Sequence, residues 1–317
     1  MAAEFIYERA PYPSCHASTI VESQPGKFLA AWFGGSREGA DDVAIWLARY
    51  DGRWSEPEKI AEERGKPCWN PVLFRERKSG EIQLYYKAGP SPQTWSGFCR
   101  TSADDGKTFG EPRILPAGLL GPIKNKPVQL EDGVILAPTS VESYRNWACW
   151  VERSADGGRS WTKHGPIFHP EHADGIIQPS ILRASDGSLF LLARSTRRIG
   201  QICRAHSRDG GLTWSAAEAV EALPNPNSGI DAVTLADGRQ ALVYNPTHIG
   251  RSPLALALGD PDGREFKTVR TLESEPGEYS YPAVIQASDG SVQITYTWKR
   301  QKIRRQWFTL EELAHPA

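Results

Sequence analysis

The sequence predicts an all-β protein and, within that class, a single six-bladed β-propeller of four-stranded antiparallel blades spanning residues 1–317. The first observation is composition: 11 Trp, 10 Tyr and 10 Phe stand beside 29 Gly and 24 Pro, with a single Met. Aromatics favour strands and Gly and Pro favour tight turns, whereas long helices draw on Ala, Leu and Met. The second is a repeat: "SADDGKTF", "SADGGRSW" and "SRDGGLTW" share Ser, Asp two later, Gly two later and an aromatic three later. Their aspartates, Asp104, Asp156 and Asp209, are 52 and 53 residues apart. The third is a series of turn glycines at the same step, Gly26, Gly80, Gly133, Gly187, Gly238 and Gly290, each between two β-rich runs.

Six units of about 53 residues fill the chain, a period of the length that repeat architectures use. Each unit reads as strand, Gly turn, strand, loop, third strand, Asp turn and fourth strand, as in "PSILRA", "SLFLLARS", "QICRAHS" and "AEAV". Degraded copies of the Asp turn fall at Asp51 in "RYDGRW" and Asp262 in "DPDGREF". Four-stranded repeats around an axis close into a propeller, which leaves only short edges. The last unit stops near "RQWFTLEEL" without a full fourth strand, so the N-terminal residues are expected to complete that blade. The Asp turns themselves are expected to be structural, a carboxylate accepting N–H bonds within its own turn far from the axis.

Charge narrows the partner. The 37 basic and 38 acidic residues are interspersed, with a net charge of -1, so no basic face advertises nucleic acid or a membrane surface. No segment approaches the ~18 apolar residues of a membrane span, and "MAAEFIYERAPYPSCHAST" lacks a basic start followed by an apolar stretch, so a cytoplasmic location is expected. Five cysteines, 15, 68, 99, 149 and 203, are an odd number without a CxxC pair, the pattern of free buried thiols. No His or Asp spacing makes a metal set, and no cofactor is expected.

In a propeller the first strand of each blade lines the central channel, and residues at its entrance converge. That slot reads His16, Asn70, Lys126, Gln178, Asp231 and Tyr281 across the six units, with Tyr279 two residues earlier on the same face by the strand period. The loop after each second strand borders the same mouth and carries Arg37, Lys87, Arg194, Arg197, Arg251, Lys299 and Arg300. Arginines converging from several blades suit a carboxylate, which they bind bidentately.

Three further stretches carry a resemblance. "RSPLALALGDPDG", "LLARSTRR" and "GEYSYPAVI", in that context of Asp boxes, resemble the segments of the sialidase (neuraminidase) superfamily that hold the third arginine, the second arginine and the catalytic tyrosine. The resemblance covers all six units. It places Arg251 and Arg194 in the arginine roles and Tyr279, 28 residues after Arg251, in the role of nucleophile. It implies an exo-glycoside hydrolase acting on a terminal acidic sugar: tyrosine attacks the anomeric carbon, a glutamate takes its proton, and an acid on a flexible loop protonates the leaving oxygen. The acid would come from "SREGADDVAIW", where Glu38, Asp41 and Asp42 compete and Asp41 or Glu38 is preferred.

Two positions depart from the pattern. His16 stands where the family keeps its first arginine, and Gln178 where it keeps the glutamate, so either Asp231 from the neighbouring slot serves as base or Tyr279 is not the nucleophile. Gln cannot take a phenolic proton. Two other readings use the same residues. One is a propeller-type polysaccharide lyase or uronate-directed exo-glycosidase with His16 as general acid or base. The other is a non-catalytic glycan-binding propeller in which His16, Gln178 and Tyr279 hydrogen-bond a ligand and Trp69 and Trp95 offer stacking faces. In every case the partner is a glycan, and for the first two a carboxylated one.

Overall fold

A computed structural model describes residues 2–315, and the described residues form six four-stranded sheets with a single 3₁₀ turn (Pro92–Thr94) and a short terminal helix, α1 (Leu310–Ala314). The chain opens with β1 (Ala2–Phe5) and then builds the first blade from β2 (Ser14–Gln24), β3 (Lys27–Gly35), β4 (Ala44–Tyr50) and β5 (Glu58–Ala61). The second blade is β6 (Cys68–Arg75), β7 (Ile82–Ala88), β8 (Ser96–Ser102) and β9 (Arg113–Ile114). The third is β10 (Val128–Gln129), β11 (Ile135–Glu142), β12 (Trp147–Ser154) and β13 (Thr162–Ile167), and the fourth β14 (Ile176–Arg183), β15 (Leu189–Ser195), β16 (Gln201–Ser207) and β17 (Glu218–Pro224). The fifth is β18 (Asp231–Thr234), β19 (Gln240–Tyr244), β20 (Leu254–Gly259) and β21 (Phe266–Glu273). The sixth takes β22 (Tyr279–Gln286), β23 (Val292–Trp298) and β24 (Lys302–Phe308), and β1 is its fourth strand. Ala2 pairs Trp307 and Phe5 pairs Arg304, so the N-terminal residues close the ring as the truncated last unit predicts.

The Asp boxes are turns between third and fourth strands. In the second blade Asp104 accepts from Thr108 N at 2.9 Å, Thr108 Oγ1 at 2.6 Å and Ser102 Oγ at 2.7 Å, while Gly106 N donates to Ser102 Oγ at 2.9 Å. Asp156 and Asp209 repeat this pattern on Ser160 and Thr213. These bonds hold the carboxyls below the usual range, Asp156 at about 2. The box also docks each blade on the one before. Gly106 has φ +83°, and a Cβ there would meet Leu29 Cδ1 at 2.2 Å, so only glycine fits against the first blade. The degraded copies differ: Asp51 pairs Lys27, and Asp262 turns to Ser185 of the fourth blade, leaving Asp260 to hold the turn.

Four inner strands carry the same irregularity near their first residues. The pairing skips two residues between His16 and Thr19, Trp69 and Val72, Ile177 and Ser180, and Ser280 and Ala283. The first residue of each bulge has positive φ: Ala17 +58°, Asn70 +37°, Gln178 +54° and Tyr281 +50°. A bulge re-aims a side chain, and left-handed backbone at bulky residues costs ~1–3 kcal/mol and concentrates at functional sites. Pro71, Pro179 and Pro282 follow three of the four.

Among the described residues no helix is long and apolar enough to cross a membrane, no group of three His, Cys, Asp or Glu is disposed to hold a metal ion, and all five cysteines are buried free thiols.

Candidate functional site

Near the axis, buried lysines tie the blades together. Glu152 accepts from Leu120 N and Gly121 N at 2.9 and 2.8 Å and so fixes the segment that leads to Lys124. The buried Lys124 Nζ donates to Asn125 Oδ1 at 2.8 Å, Ile230 O at 2.8 Å and Pro282 O at 2.5 Å, tying the third blade to the fifth and sixth. Burial and the neighbouring cations Lys126 and Arg194 pull its ammonium down to about 7, against the opposing charge of Asp231. Lys87, expected at the rim, is also fully buried beneath Asn70 and Pro122, and burial takes it to about 7.

Above Lys124, the bulges bring one cluster together. The hydroxyl oxygen of Tyr281 accepts from Arg194 Nη1 at 2.8 Å and Gln178 Nε2 at 3.1 Å, and Gln178 Oε1 accepts from the same Arg194 nitrogen at 3.1 Å. Arg194 Nε donates to Asn227 Oδ1 at 2.7 Å. Lys124, Arg194 and Arg251 lie 5.7, 5.8 and 5.7 Å from the Tyr281 ring centroid. The His16 ring is 4.1 Å from it. Tyr281 and Arg194 are each 8% exposed and His16 1%.

Over this floor runs a chain of ion pairs. Arg300 binds Glu38 at 2.5 Å and Glu278 at 2.6 Å, and Glu278 binds Arg251 at 2.7 Å and accepts from Ser280 Oγ at 3.1 Å. Burial would raise the Glu278 carboxyl, but Arg251 and Arg300 hold it below its usual range. Arg194 has no carboxylate within ion-pair distance among the described residues.

The sequence-based site is corrected in three places. Tyr279 is 1% exposed, packs among Leu254, Val284 and Tyr296 between the fifth and sixth blades, and its hydroxyl makes no hydrogen bond among the described residues; Tyr281, two residues on, is the tyrosine that meets Arg194 and Gln178. Asp231 and Lys126 belong to a deeper layer: Asp231 accepts from Lys126 Nζ at 2.9 and 3.0 Å, Ser180 Oγ at 3.0 Å, Ala232 N at 2.9 Å and Val284 N at 2.8 Å. With every acceptor taken it pins the third, fourth, fifth and sixth blades together and makes no hydrogen bond to either tyrosine among the described residues. Lys126 instead reaches a cavity of about 740 Å³ at the opposite end of the channel, lined by Phe74, Arg75, Ile181, Val233 and Ile285 and containing none of Tyr281, Arg194 or His16.

His16 is the third correction. Its Nδ1 lies 3.0 Å from Thr297 Oγ1, and burial with the charges of Arg300, Arg251, Arg194 and Lys124 holds the imidazole well below its ordinary value. These surroundings disfavour the protonated ring and weaken the imidazole as a base, which counts against the general acid or base of a lyase.

The remaining expectations sort by geometry. Asn70 sits at its bulge, 4% exposed, with a side chain that makes no hydrogen bond among the described residues. Arg37 and Asp41 are exposed on the loop after β3, Asp42 holds that loop by accepting from Ser36 N and Oγ at 2.9 and 2.8 Å, and Glu38 turns inward to Arg300. Trp69 is buried, with its indole N–H on Gly89 O and its ring against Trp95, so it offers no open stacking face.

Sequence reasoning passed over Lys124, Glu278, Thr297 and Glu142. Glu142 ends β11 at the mouth, half-buried, with no hydrogen bond or ion pair among the described residues. Burial raises its carboxyl, Arg194 opposes this, and the charge of Glu38 adds to it. No motif marks Glu142; the signal was its place at the end of a second strand, level with Arg194 in the next blade.

A six-bladed propeller with Asp boxes and a tyrosine gripped by arginine at its axial mouth is a sialidase-type architecture. The family described as BNR repeat-like domain matches residues 26–294, and the chain belongs to it. No curated protein matches the sequence. Among solved structures, the chain is similar to a Dyadobacter fermentans protein of unknown function (TM-score 0.80, 18% identity, 96% of this chain and 97% of that one). It is also similar to the Hadza microbial sialidase Hz136 (0.81, 17%, 95% and 66%) and to the leech intramolecular trans-sialidase complexed with 2,7-anhydro-Neu5Ac (0.79, 14%, 99% and 71%). At these identities the likeness is one of fold.

Proposed function

We propose that the protein is a glycoside hydrolase that acts on a terminal sugar carrying a carboxylate. The observation that carries this reading is the Tyr281 hydroxyl held between Arg194 and Gln178 with Lys124 and Arg251 against its ring, which makes a donor-rich, cationic pocket at the axial mouth of a sialidase-like propeller. Arg194 has donors to spare, and Arg251 and Arg300 exchange their internal carboxylates for that of the sugar. Tyr281 faces the anomeric carbon. Glu142, a half-buried carboxyl held toward its protonated form, donates to the leaving oxygen. The solved sialidases of this fold act on sialic acid glycosides according to their names, and that supports an acidic sugar here without fixing which one.

One observation favours a second reading, a binding-only propeller: among the described residues no carboxylate touches the Tyr281 oxygen, and Gln178 cannot accept its proton. Incubation with a panel of terminal sialosides and uronides, followed by NMR of the products, separates the two. Release of a saturated acidic sugar is expected. Saturable binding of the panel with no product would replace hydrolysis by binding, and an unsaturated uronate would replace it by elimination.

A further inference from the structure

We propose that His16 is a neutral hydrogen-bond donor to the acidic group of the ligand, its Nε2–H tautomer fixed by Thr297. The proposal rests on the carboxylated-sugar reading and follows from counting protons. Thr297 is fully buried on β23, and its Oγ1 accepts from Ala17 N at 3.2 Å and lies 3.0 Å from His16 Nδ1. A threonine hydroxyl has one proton to give. If Nδ1 carried the imidazole proton, Oγ1 would receive two N–H groups and its own proton would have no acceptor among the described residues. If Nδ1 accepts, the hydroxyl donates to it, the proton sits on Nε2, and that N–H is the one polar group of the pair left without a partner among the described residues. The first arrangement leaves two buried groups unpaired, the hydroxyl proton and the Nε2 lone pair, and the second leaves one, so the second is preferred.

Nε2 is then a buried N–H without a partner among the described residues. Its ring packs between Phe33 and Tyr281, at 5.6 and 4.1 Å. The groups whose charge weighs most on it, Arg300, Arg251, Arg194 and Lys124, are basic, which makes an anionic oxygen the fitting acceptor. The Tyr281 oxygen tells the same story. Both its lone pairs are taken by Arg194 and Gln178, so its own proton also points out as a donor. At these two positions the floor of the site thus presents donors. Where a guanidinium would bring a full charge and a fork of donors, His16 brings one directed N–H and no charge, and the charge of the acid group is met by Arg194, Arg251 and Arg300.

The test is the ¹⁵N signature of His16 in the full-length protein, titrated with N-acetylneuraminic acid and with glucuronic acid. The ligand-free protein should show a pyrrole-type Nε2 and a pyridine-type Nδ1. Thr297→Val should redistribute the tautomers, and Thr297→Ser should preserve them. The bound acid should shift the Nε2–H resonance. His16→Gln, which keeps an N–H near the Nε2 position, should bind close to the wild type. His16→Phe should bind roughly 10- to 100-fold more weakly, the value of a hydrogen bond to a charged group. A pyridine-type Nε2, or binding that leaves its resonance unmoved, would overturn the proposal alone. Failure of every acidic sugar to bind would overturn the carboxylate reading and the proposal with it.

Discussion

Exchanging Tyr281 and Tyr279 for phenylalanine, one at a time, separates two positions that lie two residues apart on one strand. Tyr281→Phe removes the oxygen that accepts from Arg194 and Gln178. Arg194 Nη1 keeps Gln178 Oε1, so the loss falls chiefly on the Gln178 amide, which is left with an unanswered N–H. Stability should fall by ~1–3 kcal/mol, the cost of one unpaired buried donor. Turnover of an acidic glycoside should fall by at least ~10²-fold, the least that a group acting on the reacting atoms contributes. Tyr279→Phe removes a hydroxyl with no described partner inside the core between the fifth and sixth blades, so stability should move by under ~0.5 kcal/mol and turnover should stay. Urea unfolding and steady-state kinetics on the two variants read both effects. Lost turnover in Tyr279→Phe with retained turnover in Tyr281→Phe would refute the placement of the site.

Three further substitutions test other parts of the account. Glu142→Gln should lower turnover most for poor leaving groups and abolish the basic limb of the pH profile. Because a carboxyl raised in the folded state binds its proton more tightly there than in the unfolded chain, Glu142 costs stability as pH rises through its range. The variant should therefore gain stability over the wild type at neutral pH and lose that gain in acid, as followed by thermal unfolding; an equal difference at both pH values would deny the burial. Lys126→Met should destabilise by ~3 kcal/mol by stranding the buried Asp231, yet leave ligand affinity unchanged; a change in affinity measured by calorimetry would return that pair to the site. Gly106→Ala should cost at least ~1 kcal/mol through its backbone alone and more through Leu29, and an unchanged urea midpoint would mean that the Asp box does not dock one blade on the next.

The ring of six blades was legible because its signals are local and repeat: a Gly turn, an Asp box with an aromatic, and a fixed step between copies. The closure of the last blade by the N-terminus followed from counting strands. The site was legible only in part. Strand alternation placed Tyr279 and Tyr281 on one face, but the pairing skip between Ser280 and Ala283 breaks that alternation and turns Tyr281 alone to the mouth. A trace of the bulge is present in the sequence as Asn70-Pro71, Gln178-Pro179 and Tyr281-Pro282. Asp231 was placed with them, yet it pairs Val243 as Ser180 pairs Leu192, one step past the bulge, so Asn245 and not a charged residue stands opposite the mouth in the fifth blade. Which cations reach the ligand depended on ion pairs that cross the ring, Glu38 with Arg300 over 262 residues among them, and no local pattern encodes those.

A calorimetric titration tests the central claim, that the cluster around Tyr281 and Arg194 recognises a sugar carboxylate. N-acetylneuraminic acid and glucuronic acid are compared with their methyl esters. The account predicts that at least one acid binds and that its ester binds roughly 10-fold or more weakly, the loss of a charge-assisted contact with arginine. An ester that binds as tightly as its acid would contradict it.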